Sequence, residues 1–220
     1  MTLLDLGFAL TQIRRDTVAF YDRLAPRFER TQQRWLRAGG SETMAALHGC
    51  LNAELRPGAR VLDAGCGTGT LARWILAQEP RAQITQLDAA TGMLARARTV
   101  HHRAVLANLL ALPFSDDSFH VVVCAWALET VSDPERVLRE LKRVLAPGGL
   151  LCCCHCTRPA SRWVRFRSLA LRLSVTHLFK GRFLPMGTAG SLDGGRVRWV
   201  SCHDGLSAFV CYRKRLGDEA

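Results

Sequence analysis

The 220-residue sequence lacks the long apolar runs, internal repeats and low-complexity stretches that mark several protein classes. No apolar run reaches the roughly 18 residues that a membrane-spanning helix requires. Residues 1–10 are apolar, but they lack the basic region and small-residue cleavage site of a signal peptide. We therefore expect neither a membrane span nor a cleaved leader. Hydrophobic residues make up 48% of the chain, which predicts one globular domain rather than a disordered protein.

Acidic residues are scarce, and most of all in the last third of the chain. The sequence has 30 Lys and Arg against 19 Asp and Glu, a net charge of +11. After His155, only Asp193, Asp204, Asp218 and Glu219 oppose the basic residues. This asymmetry indicates an anionic partner, such as a membrane surface, a nucleic acid or an acidic substrate. A solvated basic face is the alternative interpretation.

The nine cysteines lack the even number and regular spread of a disulfide framework. They cluster in apolar runs, which favours a reducing cytoplasm. On a strand over 152–156, Cys152, Cys154 and Cys156 would face one way, and Cys153 and His155 the other. Zinc sites usually take ligands from looped spacings. Burial in the core is therefore favoured over a metal or arsenite-type site, and we predict no metal.

The most informative stretch runs from Val61 to Gly69, where an apolar segment ends in Asp63 and glycines follow at positions 65, 67 and 69. This pattern predicts a buried strand, a tight turn and a helix whose N-terminus faces a ligand. The residue after Gly69 is Thr70, so the dinucleotide spacing G-x-G-x-x-G fails, and no Gly-Lys-Ser/Thr ending marks a P-loop. An acidic residue without a pyrophosphate site favours a cationic ligand that carries an amino acid and a nucleoside.

Segments 60–63, 83–87, 104–107, 119–126 and 150–155 read as strands that alternate with helices over 70–78, 91–98 and 133–145. This alternation predicts a parallel sheet with helices on both faces. Before it, we expect one or two helices over 2–37, with a break near Pro26, and a helix over 41–55 capped by Ser41. After it, we expect a helix over 161–179, a glycine-rich loop over 187–195, and strands over 196–202 and 206–213.

Five motifs in this order resemble the class I S-adenosylmethionine (SAM) dependent methyltransferases, over roughly residues 18–156. The motifs are Asp63-Ala-Gly-Cys-Gly-Thr-Gly69, Gln86-Leu-Asp-Ala89, Ala111-Leu-Pro-Phe-Ser-Asp-Asp-Ser-Phe119, Asp133-Pro-Glu-Arg-Val-Leu-Arg-Glu140 and Arg143-Val-Leu-Ala-Pro-Gly-Gly149. The branch that they resemble includes the ubiquinone/menaquinone C-methyltransferases and bacterial phospholipid N-methyltransferases.

The resemblance implies a Rossmann-like, doubly wound, mainly parallel seven-stranded sheet with an antiparallel edge and an N-terminal helical cover. We expect a single domain, with the cover over 1–55, the SAM-binding core over 56–156 and an acceptor-side segment over 157–220. The implied activity is methyl transfer from SAM to a small-molecule or lipid-like acceptor, with a quinone precursor or phospholipid headgroup favoured. A non-catalytic SAM-binding protein and an RNA or protein methyltransferase are the alternatives.

The resemblance also implies roles for particular residues of the cofactor site. Gly65, Gly67 and Gly69 form the SAM-binding turn, with Asp63 near the amino end of the ligand. Asp88 accepts from the ribose hydroxyls, as an acidic residue about 20–25 positions beyond the turn does. Ala89 and Met93 lie beside adenine, and Asn108 stands where relatives often have an acidic residue for the adenine amino group, or else caps a strand end. The predicted cofactor set is completed by Cys66, Leu109 and Cys124.

Two residues are candidates for catalysis. Tyr21 lies in Tyr21-Asp-Arg-Leu-Ala-Pro-Arg-Phe-Glu29, which resembles a family signature on a helix that closes over the cofactor. Packing between helices is its alternative role. Glu129 follows the strand over 119–126, where relatives often have a histidine, and it is the base available to an acceptor that must lose a proton. A surface glutamate is the alternative, because methyl transfer can run on positioning and desolvation alone.

The segment over 161–179 mixes apolar residues with arginines at helical spacing. This pattern is typical of a helix that lies on an anionic membrane, and also of a helix that packs on a sheet. Nucleic-acid binding is the least favoured interpretation, because no RNA-binding module is recognisable. We therefore expect a cytoplasmic protein, with peripheral contact at the inner face of the membrane through residues 158–182 as one interpretation.

Overall fold

A continuous seven-stranded sheet organises the computed structural model, which describes residues 17–100, 103–185, 187–188 and 192–217. Its strand order is β3-β2-β1-β4-β5-β7-β6. The strands are β1 (Arg60–Ala64), β2 (Gln83–Asp88), β3 (Ala104–Leu106), β4 (Phe119–Ala125), β5 (Leu145–Cys156), β6 (Gly195–Cys202) and β7 (Ser207–Lys214). The first five strands are parallel, and β7 pairs antiparallel with both β5 and β6. The predicted fold class, with its antiparallel edge, is confirmed.

Eight α-helices accompany the sheet in the described part of the chain. Residues 17–24 form α1. The others are α2 (Phe28–Trp35), α3 (Ser41–Glu54), α4 (Thr70–Gln78), α5 (Thr91–Ala97), α6 (Pro134–Arg143), α7 (Arg162–Arg167) and α8 (Leu169–Leu178). A 3₁₀ turn, Ala25–Arg27, separates α1 from α2 at the predicted break. The part of the predicted N-terminal helices over residues 2–16 lies outside the described residues.

The central strands bury side chains on both faces, as their unbroken apolar runs predict. In β1, Val61 packs with residues of α3 and α4, whereas Leu62 packs with residues of α6. Both side chains are fully buried. The sheet is therefore the middle layer of three, and its rigid strands fix the positions of the loops at their carboxyl ends.

Three local expectations were wrong. Ser41 does not cap α3, because a π turn over Leu36–Gly40 runs into the helix, and the N-cap position is Gly40 without a side-chain hydrogen bond. The helix predicted over 133–145 ends earlier, at Arg143, and the Pro-Gly-Gly segment over 147–149 does not follow it directly. It lies instead within β5, where the pairing with β4 shifts register between Phe119 and Val121.

The third wrong expectation is the single helix over 161–179, because the observed helix divides at Ser168. The backbone of Ser168 leaves the helical region (φ −91°, ψ 7°), and its hydroxyl donates to the carbonyl of Val164 at 2.6 Å. A hydroxyl that bonds back to the preceding turn favours such a break. The result is two short helices, α7 and α8. No helix among the described residues has the length and apolar character needed to cross a bilayer.

Arg143 at the end of α6 holds the segment that follows β3. Its guanidinium donates to the carbonyls of Phe114 (2.8 Å) and Leu112 (3.1 Å) and pairs with Asp116 (2.7 Å) and Glu140 (2.9 Å). The Glu140 carboxylate accepts from the amide of Leu112 at 2.8 Å. This network anchors an irregular loop to the sheet's helical layer.

We predict that Arg143→Ala destabilises the protein by about 2–3 kcal/mol, because charged hydrogen bonds to backbone carbonyls are lost together. Urea unfolding measures the change. The control is Arg139→Ala on the exposed face of the same helix, which we expect to change stability by less than about 0.5 kcal/mol. Equal losses in the two variants would contradict the anchoring role of Arg143.

Candidate functional site

A cavity lies at the carboxyl ends of β1, β2 and β4, where open α/β sheets bind ligands. Helices α1, α2 and α8 cover it. One half carries polar groups from the strand ends, and the other half is aromatic and aliphatic.

The turn after β1 brings backbone to the polar half of the cavity. Gly65 has a φ of +77°, and a Cβ there would lie 2.6 Å from the Cβ of Ala127. Gly69 has a φ of +80° at the N-cap of α4, and a Cβ there would meet the Gln86 side chain at 2.6 Å. Glycine is therefore required at both positions, by conformation and by space.

Asp88 at the end of β2 accepts two backbone hydrogen bonds. The amide of Gly67 donates to Oδ2 at 2.9 Å, and the amide of Ala90 donates to Oδ1 at 2.9 Å. These bonds fix the carboxylate against the glycine turn. Burial raises the pKa of Asp88, while the hydrogen bonds from Ala90 and Gly67 oppose that rise. The carboxylate retains lone pairs for a ligand hydroxyl.

Asp63 is almost completely buried at the end of β1, and its Oδ2 has no hydrogen-bond partner among the described residues. Burial, and secondarily the charge of Asp88, raises the pKa of Asp63 to about 7. A buried carboxyl without a partner costs free energy. Its position at the cavity wall indicates that a ligand supplies the missing donor.

Glu129 is 5% exposed, in a 3₁₀ turn over Leu128–Thr130. The alternative of a surface glutamate was therefore wrong. Burial raises its pKa to about 7, opposed by weaker hydrogen bonds that include one from the Cys156 thiol. Its Oε2 is buried without a partner in the described part of the chain. A carboxyl with a pKa near neutrality can take up a proton at physiological pH.

Tyr21 joins the cover to the far side of the cavity. Its hydroxyl donates to the carbonyl of Phe179, at the end of α8, at 2.8 Å. Its neighbour Asp22 accepts from the amide of Gly92 in α5 at 2.7 Å. Burial, followed by the charges of Glu129 and Asp88, raises the pKa of Tyr21, so its hydroxyl stays protonated. Consecutive residues of α1 thus bridge both walls.

Most of the predicted site residues line this one cavity. They are Tyr21, Asp63, Gly65, Cys66, Gly67, Asp88, Ala89, Met93, Asn108, Leu109 and Glu129. The Asn108 carboxamide oxygen accepts from the amide of Leu110 at 3.0 Å, so it also caps its own turn. The roles assigned to these residues remain predictions.

Two predicted residues lie outside the cavity lining. Cys124 is fully buried, and alternation along β4 points it into the core while Ala125 reaches the cavity. Gly69 lies beneath the turn, against Gln86 of β2 and the backbone of Ala97 in α5. Both support the site from behind.

The aromatic half of the cavity was not predicted residue by residue, although Val175 and Phe179 lie in the segment over 157–220 that was expected on the acceptor side. Its walls include Phe28, Trp35, Trp126, Val175 and Phe179. Trp35 and Trp126 meet edge to face with ring centroids 5.3 Å apart. The place of Trp126, at the end of the predicted strand over 119–126 and directly after the observed β4, was a signal that could have identified it. Trp35 and Val175 come from helices whose contacts with the sheet are long-range, so no local pattern marked them.

Charge distinguishes this cavity from the rest of the molecule. Its described lining includes three carboxyl groups, from Asp63, Asp88 and Glu129, and no lysine, arginine or histidine. The whole chain carries a net charge of +11. An acidic, desolvated pocket in a basic protein favours a cationic ligand.

Residues 62–153 match a protein family described as methyltransferase domain. The chain is 36% identical over 126 residues to a demethylmenaquinone methyltransferase of Symbiobacterium thermophilum, which covers 51% of this chain and 49% of the relative. It is 43% identical over 95 residues to a malonyl-[acyl-carrier protein] O-methyltransferase of Halorhodospira halophila. This match covers 41% of this chain and 32% of the relative. The chain thus spans about half or less of the length of these curated relatives.

Solved structures share the fold. A SAM-dependent methyltransferase from Thermotoga maritima superimposes with a TM-score of 0.66 at 20% identity, over 90% of this chain and 99% of that one. The [4+2]-cyclase SpnF gives a TM-score of 0.61 at 22% identity, over 78% of this chain and 81% of that one. At these identities the likeness shows the fold alone, and the second name shows that the fold serves more than one chemistry.

The family match confirms the resemblance found in the sequence and implies SAM as the methyl donor. The residues fit this molecule, which carries a sulfonium and an ammonium group. The unpartnered Asp63 carboxyl suits an ammonium donor, and the fixed Asp88 carboxylate suits ribose hydroxyls. The glycine turn leaves room where side chains would block it.

We predict that Asp63→Asn stabilises the ligand-free protein at alkaline pH. The pKa of Asp63 is about 7 in the folded chain and roughly 3.9 when unfolded. Between these values the folded chain binds more protons, so the free energy of unfolding falls as pH rises. The variant escapes this loss and should be more stable than the wild type by a few kcal/mol at pH 8, and by less at pH 5.

Urea unfolding at the two pH values measures this effect. The control is Asp204→Asn, the same change at an exposed position, which should behave like the wild type at both. If the Asp63→Asn variant is less stable than the wild type at pH 8, ionisation of the buried Asp63 carboxyl does not destabilise the ligand-free protein, and the prediction is wrong.

Proposed function

We propose that this chain, whose residues 62–153 match the methyltransferase domain family, transfers a methyl group from SAM to a lipid-like acceptor of the quinone-precursor class. The observation that carries the proposal is the division of the cavity into an acidic half and an aromatic half. Relatives named demethylmenaquinone methyltransferase support the acceptor class. A phospholipid headgroup is the second acceptor that the same geometry accommodates.

The acidic half holds the donor. Asp63 accepts from its amino group, Asp88 accepts from its ribose hydroxyls, and Met93 and Leu109 flank the adenine. When bound, SAM supplies an electrophilic methyl group on a sulfonium. The nearby carboxylates offset the sulfonium charge inside a dry pocket, and they hold the donor in position.

The aromatic half holds the acceptor. Trp35 and Val175 are buried, and Trp126 and Phe179 pack against them. These side chains form an apolar wall directly beside Glu129, which lines the same cavity. An apolar ring with an ionisable hydroxyl would place its ring on the wall and its hydroxyl toward the carboxylate.

Glu129 accepts the proton that the acceptor loses. A base works best when its pKa lies near the working pH, and burial brings the pKa of Glu129 to about 7. Its unpartnered oxygen is available for the proton. Tyr21, which stays protonated, holds the covering helices α1 and α8 together through its hydrogen bond to the Phe179 carbonyl. The closed cover excludes water from the reacting groups.

A surface on α7 and α8 offers a route for a membrane-borne acceptor. Its apolar side chains are exposed: Trp163 by 66%, Phe166 by 70%, Leu169 by 48% and Leu173 by 49%. The Trp163 and Phe166 rings stack on each other, with ring centroids 6.0 Å apart and ring planes inclined by 23°. We name this set the α7–α8 surface.

Positive charge surrounds the α7–α8 surface. Residues 158–182 contain seven basic residues and no acidic one, namely Arg158, Arg162, Arg165, Arg167, Arg172, Lys180 and Arg182. Aromatic anchors flanked by arginine favour the interface of an anionic bilayer. Helix α8 also supplies Val175 and Phe179 to the cavity. The same helix would therefore face lipid on one side and the acceptor on the other.

We predict that the protein transfers methyl label from SAM to a demethylmenaquinone extracted with organic solvent, and that Glu129→Gln lowers kcat by about 10²–10⁴-fold because the base is lost. Wild-type kcat should rise with pH through about 7, as Glu129 ionises, and the variant should lose this dependence. Binding of SAM, measured by calorimetry, should survive in the variant.

Two controls accompany this assay. Glu135→Gln, at an exposed position of α6, should retain full activity, whereas Asp88→Ala should lose SAM binding. Label confined to aqueous small molecules would reject the lipid-like acceptor, and label in precipitated RNA or protein would favour those substrates. SAM binding without label in any fraction of a cell extract would favour a non-catalytic role.

We predict that the protein sediments with vesicles that contain phosphatidylglycerol but not with pure phosphatidylcholine vesicles. Replacing both Trp163 and Phe166 with Ala should weaken this binding by at least about tenfold, because each aromatic side chain contributes roughly 1.5–3 kcal/mol when buried. Added salt should also weaken it, through screening of the arginines.

The matched control is Trp199→Ala on β6, an equally large side chain that is 55% exposed outside the α7–α8 surface. This variant should bind vesicles like the wild type. Equal binding to neutral vesicles, or equal loss in the Trp199 variant, would contradict the membrane role. Binding of an acidic carrier protein without any vesicle binding would assign the arginines to a protein partner.

A further inference from the structure

Three cysteines that are distant in sequence meet on the sheet face that carries α3. Cys50 lies in α3, Cys152 in β5 and Cys211 in β7. Cys152 and Cys211 stand opposite each other in the antiparallel β5–β7 pair. The Sγ atom of Cys50 lies 3.7 Å from that of Cys211 and 3.9 Å from that of Cys152, and all three lie within 4.8 Å of one another. This group is the thiol triad.

The spacing of the thiol triad matches a metal site. Thiolates bound to a tetrahedral ion at about 2.3 Å lie roughly 3.8 Å apart. The two sulfur separations that involve Cys50 are already within about 0.1 Å of this value. No backbone movement is needed to bring these pairs to an ion, since each sulfur can adjust by rotation about its own side chain.

Access and charge also suit an ion. Cys152 is buried, while Cys50 and Cys211 are half-buried, so the triad has a closed base and a side open to solvent. The positive charges of Arg213 and Arg198 act on Cys211. Three thiolates and a divalent ion carry a net charge of −1, which these arginines offset. The nearby Glu54 is already paired with Arg213.

We propose that Cys50, Cys152 and Cys211 bind a thiophilic divalent metal ion of the zinc type. The ion displaces three protons, one from each thiol, and takes three Zn–S bonds, with water from the open side as its fourth ligand. The consecutive cysteines over 152–156 predicted no metal, because their spacing along one strand does not suit zinc ligands. The fold instead selects one of them and adds two from other elements.

The site would act as a clamp between α3 and the sheet. Helix α3 also carries Met44, which lines the cavity and accepts from the Trp126 indole at 3.3 Å. Six residues of helix, roughly 9 Å, separate Met44 from Cys50. An ion at the triad would therefore fix the helix that forms one wall of the acceptor half. The metal proposal itself rests only on the triad and stands without the proposed function.

Titration of the reduced protein with Co²⁺ and Zn²⁺ tests the site. Co²⁺ should bind one to one and give the sulfur-to-metal absorption of three thiolates, and Zn²⁺ should displace it. Cys50→Ser and Cys211→Ser should each weaken binding by more than the 10–100-fold typical of losing an outer-shell partner. Zn²⁺ should also raise the wild-type melting temperature but not that of these variants.

The control is Cys202→Ser, a buried strand cysteine outside the triad, which should bind Co²⁺ like the wild type. Cys50 and Cys211 are both half-buried, so their serine variants should fold, and far-ultraviolet circular dichroism checks this. Absence of thiolate absorption in the reduced wild-type protein would overturn the proposal. Thiolate absorption that persists in both serine variants would also overturn it. The same holds if the protein forms a Cys50–Cys211 disulfide and binds no metal ion.

Discussion

Burial of negative charge at the carboxyl ends of the parallel strands is the constraint on which the rest of the structure depends. Asp63 and Asp88 end adjacent strands, and their register places both carboxyls beside one glycine turn. Such groups are costly in a dry pocket unless a ligand pairs with them. The apolar strands, the covering helices and the Tyr21 bond all serve to keep water from these carboxyls. The site therefore trades stability of the empty protein for affinity toward a cation.

The two signs of charge are kept apart in the fold. The acidic groups lie inside the cavity, and the arginines of residues 158–182 lie on or near the outer surface that α7 and α8 form. A basic exterior attracts anionic surfaces at long range, whereas the acidic interior acts only at contact. In the proposed function, this separation lets one small domain engage a cationic donor and an anionic lipid surface without either interfering with the other.

The strands and the acidic half of the site were predictable because the sequence patterns that mark them are local. The run from Val61 to Gly69 contains a strand, a turn and a helix start within nine residues, and Asp88 follows at the expected spacing. The aromatic half and the thiol triad were not predictable, since Trp35, Val175 and Cys50 reach their partners only through tertiary packing. Glu129 shows the same limit: its position after β4 was predicted, but its burial depends on the segment around Gly181, which packs against its side chain.

The place of β7 between β5 and β6 has a consequence for how the chain assembles. In synthesis β6 precedes β7, yet β6 can join the sheet only through β7. Until residues 207–214 pair with β5, that edge of the parallel sheet is open and the segment of β6 has no partner. Open strand edges invite pairing between molecules. Folding of the last third of the chain is thus a race between insertion of one antiparallel strand and self-association.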